Sequence, residues 1–141
     1  MSMDLSRTEI QRHFNQWFIA WNNHDINGVM EFIHNEIVFE NWDGRMVSGK
    51  ANLGKSWGVW FMHHGNFKFI LEDSFIDDVN QKMVFTWQLE WPSLEKKYIG
   101  KREKRRGVDI LHLREGKIFR KNTYSKTTIE IDSLLVMMHA E

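Results

Sequence analysis

The sequence predicts an α+β domain, with helices segregated onto one face of an antiparallel sheet. Apolar residues recur at helical spacing through the first part of the chain. The period changes to two after His64-Gly65. Turn-forming pairs then separate a run of strand-like segments.

Ile10, Phe14, Trp17, Phe18 and Trp21 form one apolar stripe, which predicts a helix over 7–23. Ser6 followed by Glu9 is a capping-box pattern at its start. Asp25 can cap a short second helix whose apolar residues are Val29, Met30, Phe32 and Ile33. Over 36–42, β-branched and aromatic residues alternate with polar ones, predicting a strand, and Asp43-Gly44 predicts a turn. A third helix starts after Ser48-Gly49, with Leu53, Trp57, Trp60 and Phe61 on one face. Gly54 and Gly58 each cost that helix stability, which implies a closely packed neighbour. Strands are predicted over 66–77, 82–91, 107–114 and 117–128. Met83, Phe85, Trp87, Leu89 and Trp91 make the clearest alternating face, and Glu115-Gly116 makes a hairpin turn. The apolar tail over 130–141 reads either as a short closing helix or as a strand extension.

Composition narrows the function. At 141 residues the chain has the length of one domain, with neither an internal repeat nor a linker. It has no cysteine, so disulfides, thiol nucleophiles and Cys-ligated metals are excluded. Lys+Arg and Asp+Glu both number 19, and this zero net charge argues against a nucleic-acid partner. No apolar run approaches the roughly 20 residues of a membrane span, and 1–12 lacks the apolar core of a signal peptide. A cytoplasmic protein with no membrane partner is expected. Seven Trp and ten Phe against two Tyr suggest an aromatic-lined cavity or interface.

Most other candidates have ordinary readings. Adjacent His63 and His64 point in different directions on a helix, and no metal-binding spacing is present, so neither metal nor cofactor is expected. His13 reads as a helix-surface residue. His112 alternates away from Asp109. The basic stretch over 95–106 reads as a solvated hairpin end, with a rim attracting an anionic ligand as the alternative.

The order of elements resembles the nuclear transport factor 2-like superfamily, in its SnoaL-like and ketosteroid-isomerase-like branch. The resemblance rests on 17–33 (WFIAWNNHDINGVMEFI), on Val38-Phe-Glu-Asn41, and on Ser48-Gly-Lys-Ala51. It rests also on Arg106-Gly-Val-Asp-Ile-Leu111, Gly116-Lys-Ile118 and Thr123-Tyr124. It implies a cone of curved, mostly antiparallel sheet wrapped by three N-terminal helices, in one domain over 1–141. It also implies a homodimer through the outer sheet face, where Val84, Ile110 and Ile118 would be exposed.

By the same resemblance, the carboxylate base of the isomerases corresponds to Asn41. An amide cannot take a proton at neutral pH, so steroid isomerase chemistry is disfavoured. Asn41 can still orient a substrate oxygen, or simply pair with the following turn. The oxyanion-hole Tyr corresponds to Trp17 and its acid partner to Asp109; a second Tyr corresponds to Trp57. Lys121 corresponds to a cavity position, although a bulge would turn Asn122 and Tyr124 inward instead.

Asp109 is the central candidate for acid/base or hydrogen-bond work. It lies between Val108 and Ile110, and its face is shared with Leu111, Leu113, Phe85 and Trp87. Either it is neutral, so that Asp109→Asn stays within about 1 kcal/mol of wild type, or it pairs with Lys121 or Arg106. The first is expected. The resemblance thus implies a hydrophobic small molecule walled by Trp17, Phe39, Trp57, Phe85 and Trp87, with Asp109, Asn41 and Lys121 handling its polar group. The alternative is a non-catalytic dimeric carrier or interaction module. An enzyme needs roughly 300 Å³ or more of open cavity, and that volume separates the two.

Overall fold

A computed structural model describes residues 3–138. Helix α1 spans Arg7–Asn22 and opens with the expected capping box. The Ser6 hydroxyl accepts from Glu9 N–H at 3.1 Å, and Glu9 Oε1 accepts from Ser6 N–H at 2.9 Å. Helix α2, Ile26–Met30, is capped by Asp25, and α3 spans Lys50–His63. The strands are β1 (Ile33–Glu40), β2 (Met46–Ser48), β3 (Lys68–Asp77), β4 (Lys82–Pro92), β5 (Arg102–Arg114), β6 (Lys117–Ser125), β7 (Thr128–Ile131) and β8 (Leu134–Met137).

The strands form one sheet in the order β2-β1-β6-β5-β4-β3, with β7 added to β5 and β8 to β7. All pairings are antiparallel except β1 with β6. The three helices cover the inner face, so the architecture is the expected α+β cone. One apolar core joins α1 (Ile10, Phe14, Trp17, Trp21), α3 (Leu53, Trp57) and the inner face of β4 (Met83, Phe85, Trp87, Leu89, Trp91). Strand alternation along β4 is complete, each odd-numbered residue from Met83 to Trp91 being buried. Glu115 and Gly116 both have positive φ and join Arg114 to Lys117 as a two-residue hairpin.

Several expectations are corrected. Phe32 and Ile33 do not extend α2. Ile33 pairs with Ile118 of β6, so sheet pairing takes over three residues after the helix ends. Asn41 and Trp42 lie beyond β1, in a turn closed by Asn41 O accepting from Gly44 N–H. Ile118 is 5% exposed and belongs to the inner core, leaving Val84 and Ile110 as a cross-strand pair on the outer face. The tail takes the strand alternative, as the β7–β8 hairpin, while residues 139–141 of that segment lie outside the described residues.

The largest correction concerns 95–106. Strand β5 begins at Arg102, not at 107, and pairs with β4 from Arg102 to His112. Period-two alternation carries Glu103 and Arg105 to the same inner face as Asp109, where both are buried. Opposite charges satisfy one another there, which a reading of the stretch as solvated overlooks.

Candidate functional site

The cone encloses a cavity of about 150 Å³ that opens to solvent. Its walls come from α1 (Trp17, Phe18, Trp21), α3 (Trp57, Trp60) and the inner faces of the sheet. All eight residues expected at the site line it: Trp17, Phe39, Asn41, Trp57, Phe85, Trp87, Asp109 and Lys121. β5 brings Asp109 opposite Phe85 of β4 and Thr123 of β6, and β6 brings Lys121 opposite Phe39 of β1.

Asp109 takes the paired arrangement. Lys121 Nζ lies 2.5 Å from its Oδ2, and the Trp87 indole N–H donates to its Oδ1 at 2.8 Å. Lys121, not Arg106, is the partner. Arg106 turns outward to Glu72 in a two-point contact at 3.0 and 2.8 Å. Both members of the inner pair are buried, Asp109 at 2% and Lys121 at 8% exposure. Lys121 Nζ also donates to Thr123 Oγ1 at 2.8 Å. Its ammonium sits 4.7 Å from the Phe39 ring centre and 5.6 Å from that of Trp57. Two of its three N–H groups thus have oxygen partners, and the third faces the aromatic lining or a ligand.

Trp87 holds its place through Gly107. The two are register partners across β4 and β5, and a Cβ on Gly107 would meet the indole at 2.3 Å and Tyr124 O at 2.3 Å. The absence of a side chain at 107 therefore lets the Trp87 ring lie flat enough to reach Asp109. Trp17 does not replace the isomerase phenol as a donor to the acid, because its Nε1 has no hydrogen-bond partner. Its ring packs edge-on to Trp21 and Phe85. The Asn41 side-chain oxygen accepts from Trp42 N–H at 2.9 Å, so it organises the turn while its residue borders the cavity. Tyr124 is 49% exposed, which settles the register in favour of Lys121.

Sequence reasoning missed the other end of the cavity. Arg105, Trp42 and Trp91 line it, and Thr123 lines the cavity beside Lys121. Their signal was available: Glu103, Arg105, Gly107 and Asp109 share one parity. The sequence offers His64 only as a poor metal ligand. Its ring stacks on Trp60 at 4.1 Å and its Nδ1 contacts Trp60 O at 2.6 Å. Burial, with a smaller push from Arg105, holds the His64 imidazole below its usual range, against the pull of the Trp60 carbonyl. His13 is half-buried and meets Phe32 edge to face, so it is not a surface residue. His112 faces away from the cavity, against Phe119. Among the described residues no group of three His, Asp or Glu side chains could hold a metal ion, and no helix is long and apolar enough to cross a membrane.

Comparison with known proteins agrees with this fold. The fold matches SalBIII, an epoxide hydrolase/cyclase-like enzyme of pyran ring formation in salinomycin, with a TM-score of 0.76 at 15% identity, over 89% of this chain and 98% of that one. It matches TerC, co-crystallised with polyporic acid, with a TM-score of 0.70 at 15% identity, over 84% of this chain and 92% of that one. It also matches RV0760c from Mycobacterium tuberculosis, solved with estradiol-17beta-hemisuccinate, with a TM-score of 0.68 at 16% identity, over 82% and 92% of the two chains. No curated protein is detectably similar in sequence. The model of the SnoaL-like domain matches residues 14–121, most of the chain and both members of the Asp109–Lys121 pair, and the chain belongs to that family.

Proposed function

We propose that the cone binds a small hydrophobic molecule bearing a carbonyl or carboxylate oxygen, and that Lys121 and Asp109 handle that oxygen. The observation that carries the reading is a buried, hydrogen-bonded ion pair set in the wall of an aromatic cavity. Asp109 holds the Lys121 side chain aimed at the cavity, and Lys121 has an N–H left to donate. A donor fixed in a low-dielectric site stabilises charge that develops on a carbonyl oxygen. That suits isomerase, cyclase, dehydratase or hydrolase chemistry of the SnoaL-like type. Trp17, Phe39, Trp57, Phe85 and Trp87 serve as walls, and Asn41 shapes the mouth. In this reading residues 1–141 are one domain, acting in the cytoplasm as a homodimer through the outer face bearing Val84 and Ile110.

The volume limits the ligand. About 150 Å³ is half of the roughly 300 Å³ of a drug-sized site. It matches the ~150 Å³ cavity known to accept benzene. One ring fits inside, with any further part of the molecule at the open mouth. The same observation, with Asn41 where a base would stand, supports a second reading, a non-catalytic carrier.

Acetophenone tests both. Tryptophan fluorescence should change saturably on titration, and no saturable change would remove the binding reading. In D2O, protein-dependent exchange of its methyl protons, lost in Lys121→Met, would mark enolisation chemistry. Binding with exchange no faster than in buffer would leave the carrier.

A further inference from the structure

The far end of the cavity holds a second charged group that the Asp109–Lys121 pair does not use. Glu103 is fully buried. Its Oε1 accepts from Ser93 Oγ–H at 2.8 Å, and its Oε2 accepts from Arg105 Nε at 2.9 Å and lies 2.9 Å from Nη2. Glu95 Oε1 lies 3.6 Å from the same Nη2. The guanidinium carbon sits 5.5 Å from the Trp42 ring centre and 5.1 Å from that of Trp91.

These contacts are one-sided. Arg105, Trp42 and Trp91 line the cavity, whereas Ser93, Glu95 and Glu103 do not. The acids grip the Nε and Nη2 edge from behind, and Nη1 makes no hydrogen bond to any described residue. An arginine 7% exposed, with its rotamer fixed by a buried acid and two indoles, has already lost the freedom that binding would otherwise remove. Guanidinium N–H groups match the planar geometry of carboxylates. Arg105, Lys121 and Asp109 are the charged side chains in the lining, and because Glu103 and Glu95 balance Arg105 from behind, its draw on a carboxylate lies in its aimed N–H groups, not in net charge. Next to this end, the connection between β4 and β5 exposes Lys96, Lys97 and Lys101, a rim of the sign that draws anions in.

We infer that Arg105 is a carboxylate anchor, and that the cone takes a small planar aromatic acid. The carboxylate meets Arg105 Nη1 between Trp42 and Trp91, and the ring runs toward Lys121. This rests on the reading of the cone as a small-molecule site and names the class of molecule. Arg105 and Asp109 point inward four residues apart on one strand, about 13 Å along it. Their side chains, with that of Lys121, take up part of that span, leaving room for one ring with a short unsaturated chain.

Calorimetric titration with 4-hydroxycinnamate and with its methyl ester, at one fixed salt concentration, tests the anchor. Wild type should bind the acid at least about tenfold tighter than the ester, the loss expected for one charged hydrogen bond. Arg105→Gln alone strands Glu103 and can unfold the protein, so the informative variant is the neutral pair Glu103→Gln/Arg105→Gln. That variant should lose the preference and bind the acid and the ester about equally. Equal binding of acid and ester by wild type overturns the anchor and leaves the small-molecule site standing. A preference that persists in the double variant assigns the carboxylate to another cation and also overturns it. Binding of neither compound overturns the anchor, and the acetophenone titration then decides separately whether the cone is a site at all.

Discussion

Asp109→Asn keeps the shape of the side chain and the acceptor for Trp87 N–H, and removes only the charge facing Lys121. In an apolar wall that removal is expensive. Lys121 is 8% exposed and would retain Thr123 Oγ1, an amide oxygen and two ring faces. None of these offsets the desolvation of an ammonium, and breaking a buried pair from one side costs about 3 kcal/mol or more. The pairing therefore replaces the neutral-acid expectation, under which the same substitution is nearly silent. For a chain of 141 residues each kcal/mol moves the Tm by about 4 °C, so the drop should be about 12 °C. Removing both charges, in Asp109→Asn/Lys121→Met, should return stability to within roughly 1 kcal/mol of wild type, because no stranded charge remains. With about 3 kcal/mol lost on removing either charge alone, the cycle would then show a coupling of about 5 kcal/mol. Urea unfolding followed by tryptophan fluorescence gives all four values. A single Asn variant as stable as wild type, or a double variant as damaged as the sum of the singles, would refute the argument.

Other substitutions probe the parts that hold this pair. Gly107→Ala places a Cβ against Trp87 and Tyr124 O, and should cost about 1–3 kcal/mol by thermal melt, with altered fluorescence as Trp87 leaves Asp109. Ser93→Ala removes a buried donor to Glu103 and should cost about 1–2 kcal/mol in urea; a neutral result would show Glu103 satisfied without it. Because burial lowers the His64 imidazole, the unfolded chain takes up its proton first as pH falls below about 6.5, so stability is full above that value and declines below it. His64→Gln should flatten part of that decline in melts between pH 7.5 and 5, the remainder belonging to groups such as His112, which is lowered by burial, Lys82 and Arg120. Estradiol should give no saturable quenching and no steroid isomerase activity should be found, since the cavity takes one ring and Asn41 cannot act as the base.

The fold was legible because its signals are local and redundant. The α1 stripe, the capping box and the strict alternation of 83–91 each specify an element without help from the rest of the chain. The inner pair was legible by parity: Asp109 shares a face with Leu111, and Lys121 pairs across from it. The state of that pair was not, because whether a buried carboxyl is neutral or paired depends on the register of β6 against β5, which a single bulge can reverse. The length of β5 was hidden for a related reason. Charged residues at 102–106 have the composition of a solvated loop, and only the juxtaposition of Glu103 with Arg105 and Ser93 lets them enter a strand interior. The exchange of helix for strand at Ile33 likewise follows from a parallel partner 85 residues away, Ile118, that no local pattern announces.

A crystal structure of the protein soaked with acetophenone tests the central claim most directly. The claim predicts ring density among Trp17, Trp57 and Trp87, with the carbonyl oxygen within hydrogen-bond distance of Lys121 Nζ and the Asp109–Lys121 contact preserved. A cavity closed by movement of its own tryptophans, or ligand density only outside the cone, would contradict it.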